Sequence, residues 1–438
     1  MKIIISLLLN IFSLSVFGQT RNETLTDLLG TTSKEVLTHK LVSIETDKTY
    51  DKLVKIRRDF HANPELAGEE KRTQRIIKQY LTDLGIEVDT NIYGHSIVGI
   101  LKGGQKGGRN IAWRADMDAL PNDFPDSTEF RSKTKGVQHG CGHDIHLAIA
   151  LGIAEVLAKH KESLKGTVYF IFQSEEETFA GAKGMIDKGL FSKINPSEIY
   201  GLHITALPAG EIMVKPNEMF AYQKRIRIKL KNEVSQDEAT ALATKIHSSL
   251  SRKEGNGKPW ELHHISSPST GLMNPNTIFK DYLIMDEHFQ IYSENEELFL
   301  EAYLYETNQS KLGKIIPQIE QLIRAEKYAD KFLSVTFIQE NPTVVNDRRL
   351  TEEAIKVIKN VYGNHSIVRN HGKVPYFNDD FAFFQQNIPG VYFFLGGSDF
   401  EKGIVAMNHA PNFAVDEESI KIGVRSFSSL ILERLNSN

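Results

Sequence analysis

The pattern of apolar and polar positions divides the chain into two textures. From about Tyr50 to Phe60 apolar residues recur at helical spacing, at Leu53, Ile56 and Phe60, and the pattern stops before Pro64. A second amphipathic helix is predicted over about Glu69 to Leu84, with Ile76, Ile77, Tyr80, Leu81 and Leu84 inward and Gly85 as its stop. "SIVGILKG" and "RNIAWRAD" flank "GGQKGG" and predict two strands joined by a glycine-rich turn. An apolar helix in "LAIALGIAEVLAKH", a strand in "TVYFIFQ", a helix in "GAKGMIDKGL" and a strand in "EIYGLHI" follow. Strands alternating with helices predict an α/β fold around a central, largely buried sheet.

The texture changes near Phe220. "RIRIKLK" alternates strictly and predicts a half-exposed strand. A helix over about Gln236 to Leu250 follows, then alternating segments at about Tyr282 to Ser293 and Leu298 to Glu306. A helix at about Lys311 to Ala325 and a strand in "FLSVTFIQ" close the set. The order β-α-β-β-α-β is the split pattern of a ferredoxin-like module. The chain then resumes the first texture, with a helix near Glu352 to Val361, a loop containing "YFNDDFAFF", a strand in "GVYFFLG" and a terminal helix near Asp416 to Leu435. The predicted organisation is an α/β domain in two parts, residues 20–219 and 341–438, with a ferredoxin-like domain inserted at 220–340.

Residues 1–19 stand apart. "MKIIISLLLNIFSLSVFGQT" has one lysine, an apolar run, then small and polar residues, the form of a secretory signal peptide. The run falls short of the roughly 20 residues that span a bilayer. The expectation is a periplasmic or secreted protein, free of the membrane after signal removal. Lys+Arg 52 against Asp+Glu 56, a net charge of -4, gives no electrostatic footprint for nucleic acid or an anionic membrane. Export implies an oxidising compartment, where the single cysteine cannot form an internal disulfide. Cys141 is then either buried and inert or held as a thiolate.

Its surroundings favour the second. "HGCGHDIH" places Cys141 two residues from His143, between glycines and just before a predicted helix. Thiolate and imidazole together suit zinc and similar metals, and a helix N-terminus favours an anionic sulfur. Further donors lie at predicted strand ends: Glu175, Glu176 and Glu177 in "FQSEEETFAG", Asp116 and Asp118 in "WRADMDALP", and His203 in "GLHI". His409 lies in the loop "MNHAPNF". Each has an ordinary structural reading alone, as acidic turn, turn aspartate, core histidine or loop histidine. Their recurrence at the strand ends of separate segments points to one metal site.

The motifs "RRDFHANPELAGEE", "WRADMDALP", "HGCGHDIH", "FQSEEETFAGAKGMIDKGLF", "GLHI", "DDFAFF", "IPGVYFFLG" and "NHAPNF" occur in that order. In them the chain resembles the metal-dependent amidohydrolases of the aminoacylase and carboxypeptidase superfamily. The resemblance is to the branch of hippurate hydrolases, N-acyl-amino-acid amidohydrolases and plant auxin-conjugate hydrolases. It implies a catalytic α/β domain with a ferredoxin-like lid, and two divalent ions (zinc, manganese or cobalt) held by Cys141, His143, Glu177, His203 and His409, with the cysteine bridging. It implies Glu176 as general base, Asp118 as a supporting partner, and an N-acyl amino acid or small peptide as substrate. It also leaves open a homodimer through the lid.

The lid departs from the family. A histidine-bearing stretch after its first strand is replaced by "RIKLKNEVSQDEATALA", and the expected arginine near the paired strands is missing from "HFQIYSENEELFLEAYLYE". His263 and His264 in "WELHHISSP" are the nearby substitutes, though an exposed polar loop is the simpler reading. The departure puts catalytic strength in question and admits an alternative, a metal-retaining binding protein with a diverged lid.

Overall fold

A computed structural model describes residues 32–255 and 257–437. The predicted signal peptide lies outside the described residues. Helix α1 (Thr32–Ala62) is longer than its visible amphipathic stripe, because no helix breaker precedes Tyr50 within it; from Val42 onward it contributes Val42, Leu53 and Phe60 to the core. Helix α2 (Lys71–Asp83) follows, then strands β1 (Glu87–Asp89), β2 (Ile97–Lys102) and β3 (Gln105–Asp116). Helix α3 (His143–Lys159), strand β4 (Lys165–Gln173), short helices α4 (Gly181–Asp187) and α5 (Leu190–Lys193), and strands β5 (Glu198–Pro208) and β6 (Ile212–Val214) complete the first pass.

The predicted hairpin of β2 and β3 does not form. Both strands pair with β4, β2 antiparallel and β3 parallel, so β4 lies between them. The glycine-rich connection crosses over the start of β4, where Gly103 donates to Gly166 O and Gln105 to Leu164 O. A local turn signal cannot reveal a strand that arrives some sixty residues later.

The inserted segment contains β8 (Tyr222–Lys231), α6 (Gln236–Leu250), β10 (Tyr282–Met285), β11 (Gln290–Glu294), β12 (Glu297–Glu306), α7 (Gln309–Arg324) and β13 (Phe332–Gln339). Its sheet runs β13-β8-β12-β10, with a two-residue β9 (Arg252–Lys253) at the edge and β11 continuing along β12. The predicted strand Tyr282–Ser293 is therefore broken in two: Asp286 leaves the ladder and its carboxylate accepts from the Tyr303 amide at 2.7 Å. Alternate residues of β8, Ile226, Ile228 and Leu230, pack with α6 and α7 in a core of their own. Ser235 and Glu238 close the start of α6 as a reciprocal capping pair.

Both crossings run side by side: β7 (Asn217–Glu218) pairs antiparallel with β14 (Val345–Asn346). The chain then adds α8 (Arg348–Tyr362), β15 (Ile367–Arg369), α9 (Phe381–Gln385), β16 (Gly390–Ser398) and α10 (Glu418–Asn436). α9 forms where a loop is predicted, its five residues being too few to show a helical period. The main sheet reads β1-β2-β4-β3-β5-β16-β6-β15, with β4, β3, β5 and β16 parallel at its centre. Its strands are buried on both faces: Ile111, Trp113 and Ala115 join α1, α3 and α10 on one side, while Ala112, Ile171 and Tyr392 join a second cluster with α4 and α9 on the other. That explains their near-continuous apolar runs. The carboxyl ends of the parallel strands open a crevice of the kind that holds ligands in open α/β sheets.

Candidate metal centre

Four segments converge at that crevice. Cys141 and His143 enter α3 through Gly142, which caps the helix at φ 93°. A side chain there would put Cβ 2.3 Å from Ile204 Cγ2, so only glycine lets the loop close against β5. β5 delivers His203, and the loop before α10 delivers His409 at φ 59°. After β4 the chain turns sharply at Glu175, φ 60°, and carries Glu176 and Glu177 into the crevice. The Glu175 amide is fixed in that turn by Glu70 Oε1 at 2.9 Å. Left-handed residues other than glycine and asparagine cost energy and persist where surrounding structure imposes them.

The sequence-predicted donors meet. Cys141 Sγ lies 3.3 Å from His203 Nε2 and 3.2 Å from His409 Nε2. His409 Nε2 is 3.3 Å from Glu177 Oε1, and His143 Nε2 is 3.8 Å from both Glu177 Oε1 and Glu176 Oε2. Ligand atoms about 2.0–2.3 Å from a zinc ion sit about 3.3–3.8 Å apart at the corners of a tetrahedron. Among the overlapping groups that these donors form, Cys141 with His143 and His203, and Cys141 with Glu177 and His409, are two three-membered sets that share only the sulfur.

Supporting bonds aim these atoms. His203 Nδ1 donates to Ile204 O at 2.7 Å and His143 Nδ1 to Asp118 O at 2.8 Å, leaving both Nε2 atoms as open acceptors. Asp118 Oδ2 accepts the Glu177 amide at 2.9 Å, so one aspartate orients two donors. Asn408 Nδ2 bonds Cys141 O at 2.8 Å. His143 Nε2 and Glu177 Oε1 are buried without a protein partner. A cation is the species that would satisfy this set, since each open atom is a lone-pair donor.

The electrostatics agree. Burial, reinforced by Glu177, Glu176 and Asp116, pushes the Cys141 thiol well up. Burial disfavours the charged form of His143, but Asp116, Asp118 and Glu177 outweigh it and raise the imidazole to about 10. The carboxylates around His143 favour a positive charge there, carried by a ring proton when no metal ion is bound. Burial and then Asp379, Glu177 and Asp380 drive the Glu176 carboxyl well above its ordinary range.

Sequence reasoning named Asp116 only as a turn or a donor. It ends β3, where its Oδ1 bonds His146 Nδ1 at 2.6 Å and its Oδ2 the buried Arg114 at 2.6 Å. His146 is excluded as a ligand, because its Nε2 accepts the Ile204 amide at 2.9 Å. Arg114 was missed altogether. It ties Asp116 to Asp380 at 2.9 Å and Asp379 at 3.2 Å beneath Glu176. The only local signal was a charged residue in an apolar strand. His263 and His264 stand on a single helical turn beside Glu261, and the structure records no contact between them and the metal donors.

The comparisons with known proteins agree with this geometry. Residues 112–433 match the model for Peptidase family M20/M25/M40. The chain is 29% identical over 401 residues to thermostable carboxypeptidase 2 of Saccharolobus solfataricus, covering 88% of this chain and 96% of that one. It is 28% identical over 397 residues to IAA-amino acid hydrolase ILR1-like 4 of Arabidopsis thaliana, covering 87% and 85%. The crystal structure of the Bacillus subtilis YXEP protein, described as a dinuclear metal binding peptidase from the M20 family, superposes with a TM-score of 0.71 at 26% identity, over 90% of this chain and 100% of that one. The chain therefore belongs to Peptidase family M20/M25/M40 and is a metal-dependent hydrolase of amide bonds.

Proposed function

We propose that the protein is an exported dinuclear amidohydrolase that cleaves N-acyl amino acids or small peptides. The observation that carries this reading is the pair of donor sets sharing Cys141. Cys141, His143 and His203 would hold one divalent ion, and Cys141, Glu177 and His409 the other. Bound there, divalent ions lower a water's pKa toward about 7 and polarise a carbonyl oxygen.

The rest falls to the chain's own groups. Glu176, buried beside His143, takes a proton from the attacking water and passes it to the leaving nitrogen. The negative cluster of Asp379 and Asp380 beneath it keeps its carboxyl basic enough for that work. Asp118 holds His143 and the Glu177 amide in place. The substrate class is supported by the activities for which relatives are named, among them IAA-amino acid hydrolase and N-acetyldiaminopimelate deacetylase. Zinc, manganese and cobalt all suit the donors. Export is supported by the apolar run of residues 1–19, and N-terminal sequencing of the mature protein would begin near Gln19 if it holds.

The deciding experiment is an assay of metal-loaded protein against N-acyl amino acids and dipeptides, with Glu176→Gln as control. No turnover above that control would sink the proposal. The second reading, a metal-retaining binding protein, is favoured by the absence of histidine from Arg225 to Ala243 in the lid. It requires tight binding with ligand recovered intact after long incubation, and any product above the control ends it.

A further inference from the structure

Beside the metal donors lies a chamber of about 110 Å³. Its inner end touches the donors. Phe377 meets His203 edge-on with ring centroids 4.8 Å apart, and Asn408 bonds the Cys141 carbonyl. Leu207, Met213, Phe394 and Met407 make its sides, and Ile265 and Leu272 close it from the inserted domain. No carboxylate, ammonium, guanidinium or imidazole lines it.

Ile265 and Leu272 belong to the long segment between β9 and β10, and that segment is fixed to the catalytic part. Leu272 O accepts the His371 amide at 2.7 Å and Phe279 O the Lys373 amide at 2.8 Å. The Tyr282 hydroxyl donates to Lys373 O at 2.8 Å. From His371 and Lys373 the catalytic part runs on to Tyr376 and Phe377, so the two walls lie on separate segments stitched together by hydrogen bonds and the chamber exists before substrate arrives. Tyr376 is held at φ 59°, and its ring meets Tyr305 of β12 at 4.9 Å.

A substrate of the proposed class has two ends. The carboxylate end is disfavoured there, because a buried anion needs a cation that the lining lacks, and the few hydroxyl and amide donors of Thr205, Tyr376 and Asn408 do not replace one. The acyl end is apolar and can enter. Size then narrows the choice. A cavity of about 150 Å³ holds a six-carbon aromatic ring, so a chamber of this size takes about four carbons by the same scale.

We propose that this chamber receives the acyl chain, and that Leu272 and Ile265 set its length at about four carbons beyond the carbonyl, shorter than would admit an aromatic ring. The inference rests on the amide-hydrolase reading for its biological meaning but not for its test. Manganese-loaded full-length protein is titrated calorimetrically with acetate, pentanoate and benzoate. The same protein is assayed on the N-acetyl, N-pentanoyl and N-benzoyl forms of one amino acid.

Each added buried methylene should tighten binding about fourfold, the ratio corresponding to about 0.8 kcal/mol. Pentanoate should therefore bind at least ten times more tightly than acetate, and more tightly than benzoate. Leu272→Ala should bring benzoate above pentanoate. Ala206→Leu, which fills the chamber from β5 and needs no core deletion, should instead bring pentanoate down toward acetate. Equal binding of benzoate and pentanoate by the wild type, or an unchanged order in either folded variant, overturns the inference. Acids that bind in the expected order with no amide turnover would keep the chamber and refute the hydrolase reading. Turnover with no dependence on chain length would do the reverse.

Discussion

Glu176 and Glu177 are neighbours in sequence, follow one left-handed residue, Glu175, and meet different partners. Glu177 joins the sulfur and His409, while Glu176 sits over Asp379 and Asp380. Glu176→Gln should lower kcat by about 100- to 10,000-fold, the range for loss of a general base, with metal content unchanged by elemental analysis. A fall in metal content would instead make Glu176 a ligand. Asp118→Asn should weaken metal affinity by about 10- to 100-fold in chelator competition, because the Asp118 carboxylate holds the Glu177 amide and lies 3.3 Å from His143 Nδ1 without being one of the donors proposed here. The donors were legible because their types are rare in strands and recur at strand ends. The left-handed turns at Glu175 and His409 were not, since nothing in glutamate or histidine announces φ near 60°. Those angles are imposed by distant bonds, such as Glu70 to the Glu175 amide.

At the scale of elements, α3 starts where the metal donors end. Gly142 is both its cap and the spacer between Cys141 and His143. Gly142→Ala should destabilise the fold by about 1–3 kcal/mol, from the left-handed backbone and the contact with Ile204. A thermal melt would show it, and the metal should be lost in parallel. An unchanged melt would mean that β5 yields more easily than its packing suggests. Near-continuous apolar runs made the main strands readable, and alternation made the first strand of the ferredoxin-like set so. The interleaving of β4 between β2 and β3 was not, because partner choice is a long-range property. The same holds for Arg114, whose partners Asp379 and Asp380 lie over 260 residues away.

For the whole molecule, charge pairing and metal set stability. Asp126 bonds His61 at 3.0 Å, and His61 Nδ1 bonds the buried Asp144 at 2.8 Å. Burial would raise the Asp126 carboxyl, but the His61 bond and the Thr128 amide outweigh it and lower it to about 2. A depressed carboxyl stabilises the fold above its ordinary value near 4, and that contribution is lost as pH falls toward 2. Burial and Arg57 oppose protonation of His61, yet Asp126 and Asp144 raise it, so its contribution is present at low pH and lost as pH rises past the raised value. Urea unfolding of the wild type should therefore weaken between about pH 4 and 2, and Asp126→Asn should flatten that limb. Equal slopes would remove Asp126 from the account. Dialysis against chelator should cost about 2.7 kcal/mol relative to protein held at a metal concentration 100 times Kd. Urea unfolding at fixed protein concentration would detect it.

The chain leaves the main sheet at Asn217 and returns at Val345 through one two-residue ladder, and every metal donor from Cys141 to His409 lies outside the stretch between. Leu272 and Ile265 lie inside it. The insert is thus a cassette on a collar: exchanging it between relatives would re-tune which acyl group is admitted while the cation cage keeps its full complement of side chains. A lineage, or an engineer, could diversify diet without rebuilding the chemistry.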